Sequence, residues 1–110
     1  MEVFSLEIKI KGSERDFQIK IDSEDHWSVY TDISMITSAL LKNFLQKTRG
    51  YPSEFHDKDE ETAFQKWKET LQTMIDAFDL IEKYQENIVG YSQVHEGLEL
   101  FNKYFFNLWD

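Results

Sequence analysis

Between Phe64 and Ile81 the chain places Phe64, Trp67, Leu71, Met74, Ile75, Phe78 and Ile81 at three- and four-residue spacing, with Lys66, Lys68, Glu69, Asp76, Asp79 and Glu82 between them. This period predicts an amphipathic helix over 59–84. Such a helix holds its shape in water only when its apolar face is covered, so the rest of the chain must supply the cover.

Two more stretches carry the same period. Trp27, Tyr30, Ile33, Ile36, Leu40, Leu41, Phe44 and Leu45 predict a helix over 29–48 with this stripe turned inward, and Ser28 or Thr31 is available as an N-cap. Gly50 followed by Tyr51-Pro52 ends it, because Gly accepts the left-handed cap and Pro cannot continue a helix. Val94, Leu98, Phe101, Tyr104, Phe105 and Leu108 predict a third helix over 92–109, with Ser92 as its cap. The N-terminal stretch differs: Phe4, Leu6, Ile8 and Ile10, then Phe17, Ile19 and Ile21, alternate with polar residues around Gly12-Ser13. That is the pattern of a β-hairpin over 3–22 with one wet face, and two strands alone need something to pack on. The expected class is α+β: one domain over 1–110, in which the N-terminal hairpin packs on a small three-helix bundle.

Composition narrows the classes of function. With 110 residues, 41% hydrophobic and 15% aromatic, the chain carries enough apolar material for a single core, so its acidity belongs to a folded body. It has no cysteine, which removes disulfides, thiolate metal sites and thiol nucleophiles. MEVFSLEIKIK lacks a basic segment followed by a long apolar run, and no stretch reaches the ~18 apolar residues of a membrane span, so the expected location is the cytoplasm. The formal charge is -9. Residues 1–50 carry seven basic against eight acidic side chains and residues 51–110 carry five against thirteen. The C-terminal half is therefore expected to repel nucleic acid and anionic membranes and to favour a basic protein partner.

The densest acid cluster is EFHDKDEET, Glu54 to Thr62. As an EF-hand starting at Asp57 it fails, because Thr62 stands where Gly is needed and Lys68 where the bidentate Glu is needed. His95-Glu96 begins like HExxH, but Glu99 occupies the second histidine position. No metal ligand set and no cofactor is assigned. Acids here have an ordinary role at a helix start, where they cap N–H groups and meet the positive end of the helix dipole. A second role is compatible with the first: Glu54, Asp57, Asp59, Glu60, Glu61, Glu69, Asp76 and Asp79 are expected to form a negative stripe presented to a basic groove.

Catalytic motifs are missing from the sequence. No G-x-S-x-G surrounds a serine, and neither phosphate-binding glycine loop occurs, so no catalytic residue is assigned and the expectation is a non-enzyme. The tail FNKYFFNLWD has more aromatic side chains than one helix face accommodates. Tyr104, Phe106 and Trp109 are candidates for self-association, giving a homodimer.

Several separated blocks are familiar together: Asp25-x-Trp27-Ser28, Gly50-Tyr51-Pro52, Trp67-x3-Leu71-x2-Met74-Ile75-x-Ala77-Phe78, and Glu96-Gly97-Leu98-x-Leu100-Phe101-x2-Tyr104-Phe105-x2-Leu108-Trp109. Over about residues 25–110 the chain resembles small uncharacterised proteins encoded by bacteriophages and prophages. The resemblance implies a phage, prophage or phage-rich origin and lends no catalytic residue; the N-terminal stretch departs from it. By analogy with small acidic phage proteins, the expected function is to bind a host or phage protein, inhibiting a nucleic-acid-binding or defence protein (RNA-guided complexes included) by occupying its basic surface. A self-associating assembly factor using the C-terminal aromatics and a metal-dependent enzyme are the two alternatives.

Overall fold

The computed structural model describes residues 5–10, 17–22, 29–84 and 91–109, the first two segments through their backbone. Three helices make up the body: α1 (Val29–Lys47), α2 (Glu60–Tyr84) and α3 (Ser92–Tyr104). The expected α+β class is overturned. Helices and 3-10 turns account for 84% of residues 29–84 and 91–109, and no strand falls within those residues. The folded body is all-α, and no N-terminal β-hairpin forms part of it. The backbone segments Ser5–Ile10 and Phe17–Asp22 run antiparallel to each other, but no extended contact joins either to a described helix. Alternation reports a local extended period; it carries no information about what the ribbon lies against. The predicted turn at Gly12-Ser13 and the Trp27 end of the first stripe lie outside the described residues.

α2 is the central element, with α1 and α3 both packed along it and no extended contact between those two. Its stripe is buried: Trp67, Leu71, Met74 and Ile75 are the largest side chains with almost no exposure, joined by Phe78 and Ile81 and by Leu41, Phe44, Val94 and Tyr104 from the flanking helices. α1 closes with the Thr48 N–H donating to the Phe44 carbonyl at 2.7 Å, and the chain turns through Pro52 into a 3-10 turn at Ser53–Phe55. That turn brings Phe55 onto the core. Its ring lies 5.6 Å from Trp67 and 5.4 Å from Tyr104, while Trp67 and Tyr104 meet edge-on at 5.4 Å. Such tilted aromatic contacts add to the area they bury, so this trio ties the α1–α2 connection, α2 and α3 at one end. α3 is preceded by Tyr91, whose extended backbone makes it the N-cap without a side-chain bond, so Ser92 is the first helical residue rather than the expected cap. After Tyr104 the chain tightens into a 3-10 turn at Phe105–Asn107, ending the helix short of 109.

α1 is rotated from the orientation its apolar stripe predicts. The residues it buries are Thr31, Ser34, Ser38, Leu41 and Phe44, while Val29, Tyr30, Ile33, Met35 and Leu40 keep between 42% and 55% of their surface exposed. Small hydroxyl side chains let the two helix backbones come close, and their polar atoms have partners. Ser34 Oγ donates to the Tyr30 carbonyl at 2.6 Å. Ser38 Oγ donates across the interface to Asp79 Oδ1 of α2, and Lys42 Nζ stands 3.2 Å from Asp79 Oδ2. Among the described residues no buried side-chain N or O lacks a hydrogen-bond partner. The α1–α2 seam is thus half apolar and half hydroxyl, with a carboxylate on its rim.

The α2–α3 seam is set by one glycine. A Cβ on Gly97 would collide with the Ala77 Cβ and stand 3.1 Å from the Thr73 carbonyl oxygen, closer than side-chain carbons ordinarily sit. Glycine within a helix costs about 1 kcal/mol relative to alanine, so on an open helix Gly97→Ala would stabilise. Here the overlap is with a Cβ fixed to its own helix backbone, and overpacking of this kind costs about 1–3 kcal/mol. The second effect wins: Gly97→Ala lowers the urea midpoint, and adding Ala77→Gly, which removes the clashing carbon, recovers part of that loss. Additive effects of the two substitutions would show that the helices do not meet at this point.

Candidate partner-binding surface

The acid cluster after Pro52 is built first of all as a helix start. The Asp59 carbonyl accepts the Ala63 N–H at 3.2 Å, the first intrahelical bond of α2, which makes Asp59 the N-cap. Its Oδ1 accepts the Glu61 N–H at 3.1 Å and its Oδ2 accepts the Thr62 hydroxyl at 2.8 Å. Those bonds, the Thr62 hydroxyl foremost and the Glu61 N–H next, hold the Asp59 carboxyl below its ordinary pKa. Asp57 Oδ1 accepts the Lys58 N–H at 2.6 Å, and Asp57 Oδ2 lies 3.7 Å from Lys66 Nζ. Glu54 Oε2 lies 3.8 Å from Lys103 Nζ of α3.

The structure therefore divides the eight acids of the expected stripe. Asp79 belongs to the α1–α2 seam, Asp59 is the cap, and Asp57 and Glu54 face lysines. Glu60, Glu61 and Glu69 are exposed on α2, and half-buried Asp76 accepts from Gln72 Nε2 at 2.9 Å. Lys66 and Lys83 are exposed on the same helix. The outer surface of α2 is a mixed, mildly acidic one, and the continuous stripe read from residue order is broken by the tertiary partners of its ends.

The three aromatic candidates separate as sharply. Tyr104 is 6% exposed and belongs to the core trio, with burial pushing its hydroxyl pKa up. Lys103 beside it is held above the ordinary lysine range, first by its hydrogen bond with Tyr104 and then by the charge of Glu54. Phe106 and Trp109 are 87% and 73% exposed. Phe105 links the two groups, edge-on to Phe101 at 5.4 Å and to Phe106 at 5.3 Å. Leu108 is half-buried against the core.

The largest feature that residue order did not reveal is the outward apolar side of α1, from Val29 through Ile33 to Leu40. Its signal was present in Thr31, Ser34 and Ser38, which recur at helical spacing beside the apolar stripe and outcompete its N-terminal half for the interior. Among the described residues no group of three or more His, Asp or Glu side chains is arranged to hold a metal ion, and no helix is long and apolar enough to cross a membrane. No family model, curated protein or solved structure matches the chain.

The cap geometry has a consequence for pH dependence. A carboxyl whose folded pKa is depressed contributes stability above its unfolded value and loses that contribution as pH falls through the folded value. Asp59→Ala accordingly lowers the thermal midpoint at pH 7, Asp59→Ser, which retains an acceptor, lowers it less, and the gap between wild type and alanine variant closes as pH is taken below the ordinary aspartate value of 3.8. A gap that persists unchanged at low pH would show that the carboxylate is not the capping group.

Proposed function

We propose that this chain is a non-enzymatic, phage-type protein that acts by binding another protein. The observation that carries the reading is the distribution of exposed apolar side chains: Val29, Tyr30, Ile33, Met35 and Leu40 along α1, and Phe105, Phe106 and Trp109 at the C-terminal end. A folded body that already buries a full apolar stripe has no internal use for these groups, and clustered exposed apolar surface marks interaction sites. The acids take a second place in this reading. With Asp59 and Asp79 engaged in the fold, Glu60, Glu61, Glu69 and Asp76 act as a rim that steers a basic partner, an effect on encounter rate and partner choice more than on the strength of the formed complex. Occupying the basic groove of a nucleic-acid-binding or defence protein is the inhibitory mode that a net charge of -9 and the resemblance to phage proteins favour. Self-association through Phe106 and Trp109 is the second reading, supported by the exposure of those two rings.

The test is capture of tagged chain from phage-infected host lysate with stepwise salt elution, in wild type and two variants. Ile33→Ser/Leu40→Ser removes two exposed apolar groups and lowers recovery of the partner at least tenfold, corresponding to about 1.4 kcal/mol or more. Glu60→Lys/Glu61→Lys/Glu69→Lys lowers the salt concentration at which the partner elutes. Recovery of the same proteins in the same amounts with both variants would remove the proposal. A concentration-dependent rise in mass that Phe106→Ser/Trp109→Ser abolishes, with nothing captured, would leave the self-association reading instead.

A further inference from the structure

The outward side of α1 differs from the other helices in the sign of its charge as well as in its apolar character. α1 carries one acid, Asp32, against Lys42 and Lys47, whereas α2 carries six acids against three lysines and α3 two acids against Lys103. A basic partner is drawn to α2 and gains nothing electrostatic from a helix with a basic excess. A second copy of this chain meets the opposite condition. Two bodies of net charge -9 repel each other wherever acids face acids, and least where α1 faces α1.

The stripe on that side is also complementary to itself, as a contact between identical copies about a two-fold axis requires. Ile33, Ile36, Thr37 and Leu40 stand at i, i+3, i+4 and i+7, a spacing that reads the same in both directions. Ile33 and Leu40 are exposed, and Ile36 and Thr37 are half-buried. Two α1 helices laid antiparallel about an axis between Ile36 and Thr37 bring Ile33 of each copy level with Leu40 of the other. The charges agree with that direction. Asp32 lies in the first turn and Lys47 in the last, so each acidic start runs toward a basic end, whereas a parallel pair would set Asp32 against Asp32. Asp32 also comes within one residue's rise of Lys42 in the second copy. Lys42 holds Asp79 at 3.2 Å while keeping 55% of its side chain exposed.

We infer that the outward face of α1 is a self-association surface, on which a second copy of this chain docks its own α1 antiparallel. The contact is a small one. α1 has 19 residues and is about 28 Å long, so one helix pair buries well under the roughly 800 Å² per partner of a standard interface, and the dissociation constant is on the order of 10–100 μM. The inference goes beyond the protein-binding reading: it gives the α1 face to a second copy and leaves the acidic rim of α2 and the C-terminal rings to the other partner. Recovery of that partner then depends on Ile33 and Leu40 because pairing presents two binding sites together.

The test is sedimentation equilibrium of the full chain from ~1 to ~500 μM, with oxidative cross-linking of single-cysteine variants. A monomer–dimer equilibrium is expected, weakened at least tenfold by Ile33→Ser/Leu40→Ser and unchanged by Phe106→Ser/Trp109→Ser. It tightens as salt is raised, because salt screens the repulsion between the two bodies, opposite to the behaviour of a complex with a basic protein. The chain has no cysteine, so each cysteine variant reports one position. Thr37 lies beside the axis, and Thr37→Cys is expected to form the disulfide-linked dimer. Val29 of one copy is about 22 Å along the helix from Val29 of the other, far beyond the ~7 Å reach of a disulfide, so Val29→Cys stays monomeric on the gel. Thr37→Cys leaves every apolar group in place and reads the geometry even where the serine variant fails to fold. A monomer at every concentration, a dimer lost with Phe106 and Trp109 but kept without Ile33 and Leu40, or equal cross-linking at both positions would overturn the inference. A monomer together with capture of a partner that depends on Ile33 and Leu40 gives α1 to that partner and leaves the protein-binding reading standing; the expected dimer with nothing captured upholds this inference and removes that reading.

Discussion

The fold depends on the width of the apolar arc of α2. A surface helix usually buries a stripe a little over ~100° wide against one neighbour. α2 buries Ile75 and Leu71 toward one flank and Ala77 and Met74 toward the other, so one partner helix cannot cover it. α1 takes one side and α3 the other, and because both are held by α2 they have no extended contact with each other. Everything peripheral follows from that sandwich. The two seams are specialised differently: close approach through Gly97 and Ala77 on the α3 side, hydroxyl groups and the Asp79 carboxylate on the α1 side.

This arrangement redistributes the charges that dominate the composition. A net charge of -9 suggests an acidic surface, yet several carboxylates near α2 already have structural partners: a cap, a cross-helix serine, two lysines. Exposed ion pairs of this kind contribute little to stability. Their effect is on the surface field, because Lys42, Lys66 and Lys103 stand among the acids and soften the negative stripe. In the proposed reading, what remains outward steers a basic partner and the strength of the complex is left to apolar contacts.

Legibility of the fold and of the surface differed by residue. The α2 stripe from Trp67 to Ile81 was readable because every period it contains is satisfied by burial, and the acids at its start were readable as helix-start chemistry because the Asp59 cap is a local interaction, complete within four residues. Tyr104 and Trp109 looked alike in sequence, both aromatic and near the chain's end, and the structure placed one in the core and the other in solvent. Their difference comes from the turn at Ser53–Phe55, which delivers Phe55 onto Tyr104 from some fifty residues away. No local pattern reports such an encounter. The hairpin expectation failed for a related reason: alternation over 3–22 describes a ribbon, whereas its place in the body required knowing that α2 is already covered on both flanks.

Residue order by itself determined the helical period of α1, α2 and α3, the end of α1 ahead of Pro52, the acid-rich start of α2 and the sign of the net charge, since each of these depends on composition or on neighbours within a turn or two; Gly50 does not take the left-handed cap expected of it. Tertiary structure alone decided which side of α1 is buried and which acids are committed to the fold. The physical reason is competition: α1 offers two faces of helical spacing, one of Val, Ile and Leu and one of Thr, Ser and Leu. The face that wins is the one whose small hydroxyl side chains allow close approach to α2 and whose Ser38 meets Asp79 across the seam. The apolar face that lost that competition is left at the surface.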